Sequence, residues 1–136
     1  MMYYVERNNE GAIVALYANP QEGRTDPDPL PDDHPEVAVF LNPPPTLDDY
    51  RIAVQAHVDA TARARNYDSA VSCASYVASG NTVWAAEAQA FVAWRDAVWA
   101  YVFAELGKVQ DGQRAQPTIS EFIAEIAAIV PMTWPE

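Results

Sequence analysis

Residues 82–106, TVWAAEAQAFVAWRDAVWAYVFAEL, hold three of the chain's four tryptophans and almost no polar face. A helix apolar nearly all round must be covered on several sides, within its own domain or against another subunit. At roughly 100° per residue, Trp84, Ala88, Phe91, Val98, Val102 and Leu106 line one face. Ala86, Ala90, Ala93, Ala97, Ala100 and Ala104 line the opposite face, at the alternating spacing of a heptad seam. The aromatic face predicts a thick packed core. The alanine face predicts a close backbone neighbour, either another helix of the chain or a second copy in a homo-oligomer; short loops favour the former.

The rest of the chain constrains the class of protein. Its 136 residues fit one domain with a small appendage, and half of them are apolar, so a packed core is expected. Nineteen acidic against eight basic residues give a net charge of −11. That balance disfavours phosphate backbones and anionic membranes as partners, so neither nucleic acid nor membrane is expected. The longest strongly apolar run, residues 97–104, is far short of the roughly 20 needed to span a bilayer. The first ten residues, MMYYVERNNE, lack the basic and apolar regions of an export signal, so a soluble protein of the cytoplasm, or one released by lysis, is expected. The single cysteine, Cys73, excludes an internal disulfide.

Two β-prone runs, residues 2–5 and 12–17, flank Asn8, Asn9, Glu10 and Gly11 and predict a short hairpin. Residues 19–33 are rich in proline and aspartate and read as an extended, solvated connector. A short helix follows, with Asp33 as N-cap, Pro35 in its first turn and Val37, Phe40 and Leu41 on its apolar side. Pro43, Pro44 and Pro45 mark a boundary. The expected division is therefore 1–45 for hairpin, connector and short helix, and 46–136 for a helical domain.

In the second part Thr46 is a good N-cap, and Tyr50, Val54, His57, Val58 and Thr61 form a stripe ending near Arg65. Asn66 and Tyr67 break that helix. Asp68 or Ser69 caps a shorter one carrying Val71, Ala74, Tyr76 and Val77. Asn81 or Thr82 caps the tryptophan helix and Gly107 closes it. Thr118 or Ser120 starts a last helix with Phe122, Ile123, Ile126 and Ile129, ended by Pro131. Trp134 in the tail needs a pocket to be ordered. The fold class expected is mainly α, a small helical bundle around the tryptophan helix with a short N-terminal β-hairpin and a proline-rich connector.

Catalytic and cofactor motifs are not apparent. His34 with Asp32 and Asp33 offers metal-ligand types, but proline stiffens a segment that a calcium loop would keep flexible. His57 lies on an apolar stripe with no second ligand at metal spacing and reads as a hydrogen-bonded core histidine. Cys73 lacks a cationic activator in sequence and reads as a small buried hydrophobe. No serine occupies a nucleophile elbow, and no glycine-rich loop opens a helix. No metal or cofactor is therefore expected. Glu87 and Arg95 fall on or near the aromatic stripe, where an unpaired charge would cost several kcal/mol. They lie about 12 Å apart along the axis, too far to pair with each other. Each wants a partner from another segment, with Asp68, Asp59 or a helix-terminal carbonyl suited to Arg95. The structural and interaction residues to follow are Glu87, Arg95, Trp84, Trp94, Trp99, Ala90 and Ala97.

Two stretches carry a resemblance. MYYVERNNEGAIVALYANPQEG with LPDDHPEVAVFLN resembles the front of small phage and prophage tail proteins encoded beside tail-fibre genes. VDATARARNYDSAVSCASYVASGNTVWAAEAQAFVAWRDAVWAYV is similar to the helical segment of that group, in which an Asn/Gly-Tyr-Asp turn leads through Ser-Tyr to Trp, Glu-Ala and Trp-Arg-Asp. Here these are Asn66, Tyr67 and Asp68; Ser75 and Tyr76; Trp84; Glu87 and Ala88; Trp94, Arg95 and Asp96. The resemblance implies a non-enzymatic tail protein, a structural component or assembly chaperone of the tail fibre or baseplate, working in the host cytoplasm during assembly or in the virion tail. It carries over no catalytic residue. The acidity alone suggests another class, an inhibitor that binds a host nucleic-acid-processing or defence protein.

Overall fold

The computed structural model describes all 136 residues and is mainly α. It divides into two compact units, Met1–Pro44 and Pro45–Glu136, so the break falls within the triple proline. No helix is long and apolar enough to cross a membrane.

In the first unit β1 (Met2–Arg7) pairs antiparallel with β2 (Ile13–Tyr17), through a bulge between Glu6 and Arg7. Gly11, at φ 85°, supplies the left-handed residue of the turn, and the Asn8 side chain accepts from the Glu10 and Ala12 backbone N–H groups. The connector remains largely exposed but does not run free of the hairpin. Leu30–Pro31 returns as β3 on the other edge of β1, giving the order β2-β1-β3. Side-chain carboxylates tie it down: Arg7 bonds Asp26 at 2.8 Å and also engages Glu36. That second contact holds the Glu36 carboxyl below its ordinary range. An edge strand tolerates Pro31 because a proline there removes no ladder donor that a central strand would need.

Helix α1 (Pro35–Leu41) is capped by His34, whose ring Nδ1 accepts from the Glu36 N–H, and not by Asp33. Pro35 then occupies the first helical position, where its missing N–H is no loss. Val5 and Val37 are fully buried, whereas Phe40 and Leu41, expected on the apolar side, are exposed.

The second unit is a four-helix assembly. α2 (Leu47–Ala64) begins with a reciprocal capping box between Thr46 and Asp49. α3 (Ala70–Ala74) begins at Ser69 and runs into a 3₁₀ turn, Ser75–Ala78. α4 (Thr82–Gln110) begins at Asn81, whose side chain accepts from the Val83 and Trp84 N–H groups. α5 (Ile119–Ile129) carries a second capping box, Thr118 with Glu121. Gly107 does not close α4. The helix continues to Gln110, and the positive-φ residue beyond its end is Gly112, at 74°.

One core joins the helices: Tyr50, Val54, Val58 and Ala62 from α2, Ala70 and Cys73 from α3, Phe91, Trp94, Val98, Val102 and Leu106 from α4, and Phe122 and Ile126 from α5. Tyr50 meets Phe122 edge-on at 5.6 Å, and its hydroxyl donates to the Pro117 carbonyl. Val71 and Ile129, expected on apolar sides, are exposed, because α3 and α5 each bury only a narrow stripe.

Candidate functional site

The end of α2 builds the site. Asn66 has a positive φ of 72°, the left-handed conformation that asparagine tolerates better than most residues. The Asn66 N–H bonds the Arg63 carbonyl and the Tyr67 N–H bonds the Ala62 carbonyl, the paired hydrogen bonds of a Schellman ending. This reversal places Arg65 and Tyr67 on either side of one turn, and both reach Glu87 on α4. The Arg65 Nε donates to one carboxylate oxygen and the Tyr67 hydroxyl donates to the other at 3.1 Å. The Glu87 side chain is only 10% exposed, so these two contacts satisfy a carboxylate that water barely reaches. Burial, and then the donation to Glu87, push the Tyr67 hydroxyl up to about 12, so it stays a donor across the neutral range.

Aromatic rings surround this pair. Trp134 from the tail stacks on Phe91 at 6.0 Å and 9°, and on Tyr67 at 6.5 Å and 20°. The Arg65 guanidinium lies 5.6 Å from the centre of the same indole. Tyr76 packs on Tyr67 and meets Trp84 edge-on at 5.7 Å. A cavity of about 330 Å³ is lined by Arg65, Asn66, Tyr67, Tyr76, Trp84 and Glu87. Its lining contains Asn66, Tyr67, Tyr76, Trp84 and Glu87 of the motif string, which sequence separates by up to 21 positions and the fold collects.

The other expected residues fall elsewhere. Arg95 takes no partner from another segment: it pairs with its neighbour Asp96 at 2.9 Å. Of the partners suggested for it, Asp59 accepts from the Ala70 N–H, and Asp68, whose backbone carbonyl accepts from Arg63, makes no contact with it. Arg95 is turned far enough from the core for its head to reach water, so it needs no buried counter-charge. Trp94 is buried, and its indole N–H donates to the Val130 carbonyl at 2.8 Å, closing the end of α5. Trp99 is half-buried against Phe103. Trp84, expected in the core, is 48% exposed because it stands in the first turn of α4, where Tyr76 meets its ring edge-on. No other helix covers the alanine face: Ala93, Ala97, Ala100 and Ala104 are exposed, Ala90 is half-buried, and Ala86, also exposed, lines a cavity with Pro135 and Glu136 of the tail. The other helices of the unit all dock on the aromatic face.

His57 also departs from expectation. Its ring meets Trp94 at 5.7 Å, but Nε2 is buried with no hydrogen-bond partner, and burial holds the imidazole below its ordinary value. Cys73 is fully buried and its thiol is pushed up to about 11, chiefly by burial. No group of three or more His, Cys, Asp or Glu side chains is arranged to hold a metal ion. A second polar cluster lies between α4 and α5. Arg114 bridges Glu105 at 2.8 Å and Glu125 at 2.6 Å, and Tyr101 donates to Glu125.

Sequence reasoning found Glu87 and its need for a partner, and Trp134 and its need for a pocket, but missed Arg65. The signal for Arg65 was its place beside Asn66: a C-cap side chain next to a left-handed residue turns off the helix axis. Comparisons with protein-family models, with curated proteins and with solved structures found no match for this chain.

Proposed function

We propose that this chain is a non-enzymatic protein of a phage or prophage tail, a structural component or assembly chaperone of the tail fibre or baseplate. The observation that carries the reading is the outer face of α4. Over about 27 Å, Ala86, Ala93, Ala97, Ala100, Phe103 and Ala104 are exposed, and Asp96 is the one ionised residue among them. A helix face of that length with a single ionised residue is what an interaction protein presents to a partner. The string of motif residues that resembles the pattern of tail proteins is in keeping with the same reading, since several of them line the cavity beside α4.

The inhibitor reading receives less support. Glu6, Asp26, Glu36, Glu87, Glu105 and Glu125, six of the nineteen acidic residues, are paired with the chain's own arginines, so that part of the acidity is engaged within the fold. Mass spectrometry of purified particles tests the proposal together with co-purification of fibre or baseplate protein from lysates. A component is found in the particle, and a chaperone is bound to the fibre protein before assembly and missing from the particle. Absence from both, for the wild type and for Ala97→Arg alike, overturns the reading.

A further inference from the structure

The arginines that pair with carboxylates across the fold are filled to different degrees. Arg7 holds Asp26 and Glu36, and Arg114 holds Glu105 and Glu125. Arg65 holds Glu87 alone, through Nε, and its two terminal nitrogens make no hydrogen bond. A guanidinium presents a fork that takes a carboxylate through two parallel N–H groups, and Arg65 keeps that outer fork free. The group is also held in place, by Glu87 on one edge and the Trp134 ring beside it, so little conformational freedom remains to be lost on binding. Arg65 lines the 330 Å³ cavity and a neighbouring one of about 210 Å³, and Trp84 at the first cavity's edge exposes half its surface.

We propose that this cavity is a receptor for a peptide carboxylate carried next to a flat apolar side chain. The carboxylate takes the free fork of Arg65, and the flat group lies against Trp84 and Tyr76. Charge selects the ligand. Glu87 already balances one positive charge, so a monoanion leaves the site at −1, as Arg7 is left by Asp26 and Glu36. A phosphate dianion would leave −2 in a chain whose net charge is already −11. A cation is repelled by Arg65, and both oxygens of Glu87 are already occupied by Arg65 and Tyr67. The inference concerns ligand chemistry and goes beyond the tail reading; particle composition tests that reading, and a soluble probe tests this one.

The full ¹⁵N-labelled chain is titrated with N-acetylphenylalanine, with N-acetylaspartyl-phenylalaninamide and with the uncharged N-acetylphenylalaninamide. The arginine Nε–H and tryptophan indole N–H resonances are followed by NMR. At least one carboxylate probe shifts the Arg65 and Trp84 signals in a saturable way and the neutral amide does not; which carboxylate probe binds more tightly separates a chain terminus from an acidic side chain. Arg65→Gln weakens that probe about ten-fold, the scale of one charge-assisted contact. Trp84→Ala, at a half-exposed position outside the core cluster, weakens it about three-fold and decides the matter if Arg65→Gln does not fold. Equal response to the neutral amide, no saturable shift with either carboxylate probe, or unchanged affinity in Trp84→Ala overturns the proposal.

Discussion

The Arg65–Glu87 pair makes the most demanding test of how this fold is held. Glu87 is 10% exposed at its side chain and Arg65 is 44% exposed, so the two partners are not equivalent. Removing Arg65 strands a carboxylate with only the Tyr67 hydroxyl for company. A fully buried stranded charge costs about 3–5 kcal/mol, and solvent screening at the half-exposed arginine brings the expected loss for Arg65→Met to about 2 kcal/mol. Glu87→Gln leaves no buried charge, and Arg65 turns to water, so its loss is about 1 kcal/mol. In the double variant there is no charge left to strand, and the loss is about 1.5 kcal/mol, giving a coupling of about 1.5 kcal/mol. Urea unfolding at pH 7, followed by far-UV circular dichroism and tryptophan fluorescence, measures all four species. For a unit of this size Arg65→Met is expected to lower Tm by about 10 °C. Losses that add to within about 0.5 kcal/mol would refute the reasoning, as would a larger loss for Glu87→Gln than for Arg65→Met.

Three further outcomes are expected. His57 is held below its ordinary value of 6.5, so the unfolded chain binds the proton more readily; stability present above about pH 6.5 is lost as pH falls through that value, by at most about 1.4 kcal/mol per pH unit. His57→Phe removes a buried nitrogen without a partner, and its unfolding free energy should equal or exceed wild type at pH 7 and pull ahead between pH 6.5 and 5. Arg114 holds Glu125 below the ordinary carboxylate range, and Lys108 and then Arg114 do so for Glu105, so their stabilisation is present above about pH 4.5 and is lost as pH falls below it. Arg114→Gln should flatten acid unfolding curves in that window and lower stability at pH 7. Asn66→Gly should be neutral or stabilising and Asn66→Ala destabilising by about 1 kcal/mol in chemical unfolding, since a Cβ without a local side-chain bond opposes the left-handed turn.

Much of the fold was legible because it rests on local chemistry. Thr46 with Asp49, Ser69, Asn81, and Thr118 with Glu121 satisfy helix N–H groups within three residues of themselves, so each helix start is written where it occurs. The aromatic face of the tryptophan helix follows from the 3.6-residue period, and the mainly α class follows from both. The caps that failed are equally instructive. Asp33 and His34 are both able to accept, and only the geometry of the turn after Pro31 decides that the imidazole does so. Gly107 has a stop residue's identity but a helical backbone, because the residues after it continue to bond and Gly112 takes the positive φ.

By itself, then, the sequence determined where helices begin, which face of α4 makes the core, and that Glu87 could not remain alone. These depend on contacts within a turn or two of the chain. Tertiary structure decided who answers whom: Arg65 across 22 residues to Glu87, Trp134 onto Phe91 and Tyr67, Leu30–Pro31 back onto β1, and Arg95 left to its neighbour Asp96. Several carboxylates and arginines on this chain could have paired in principle, and only chain reversal at Asn66 and the docking of the helices bring one pair within reach. The same docking places every helix of the second unit on the aromatic side of α4, which is why its alanine face, apolar enough to be buried, stands open.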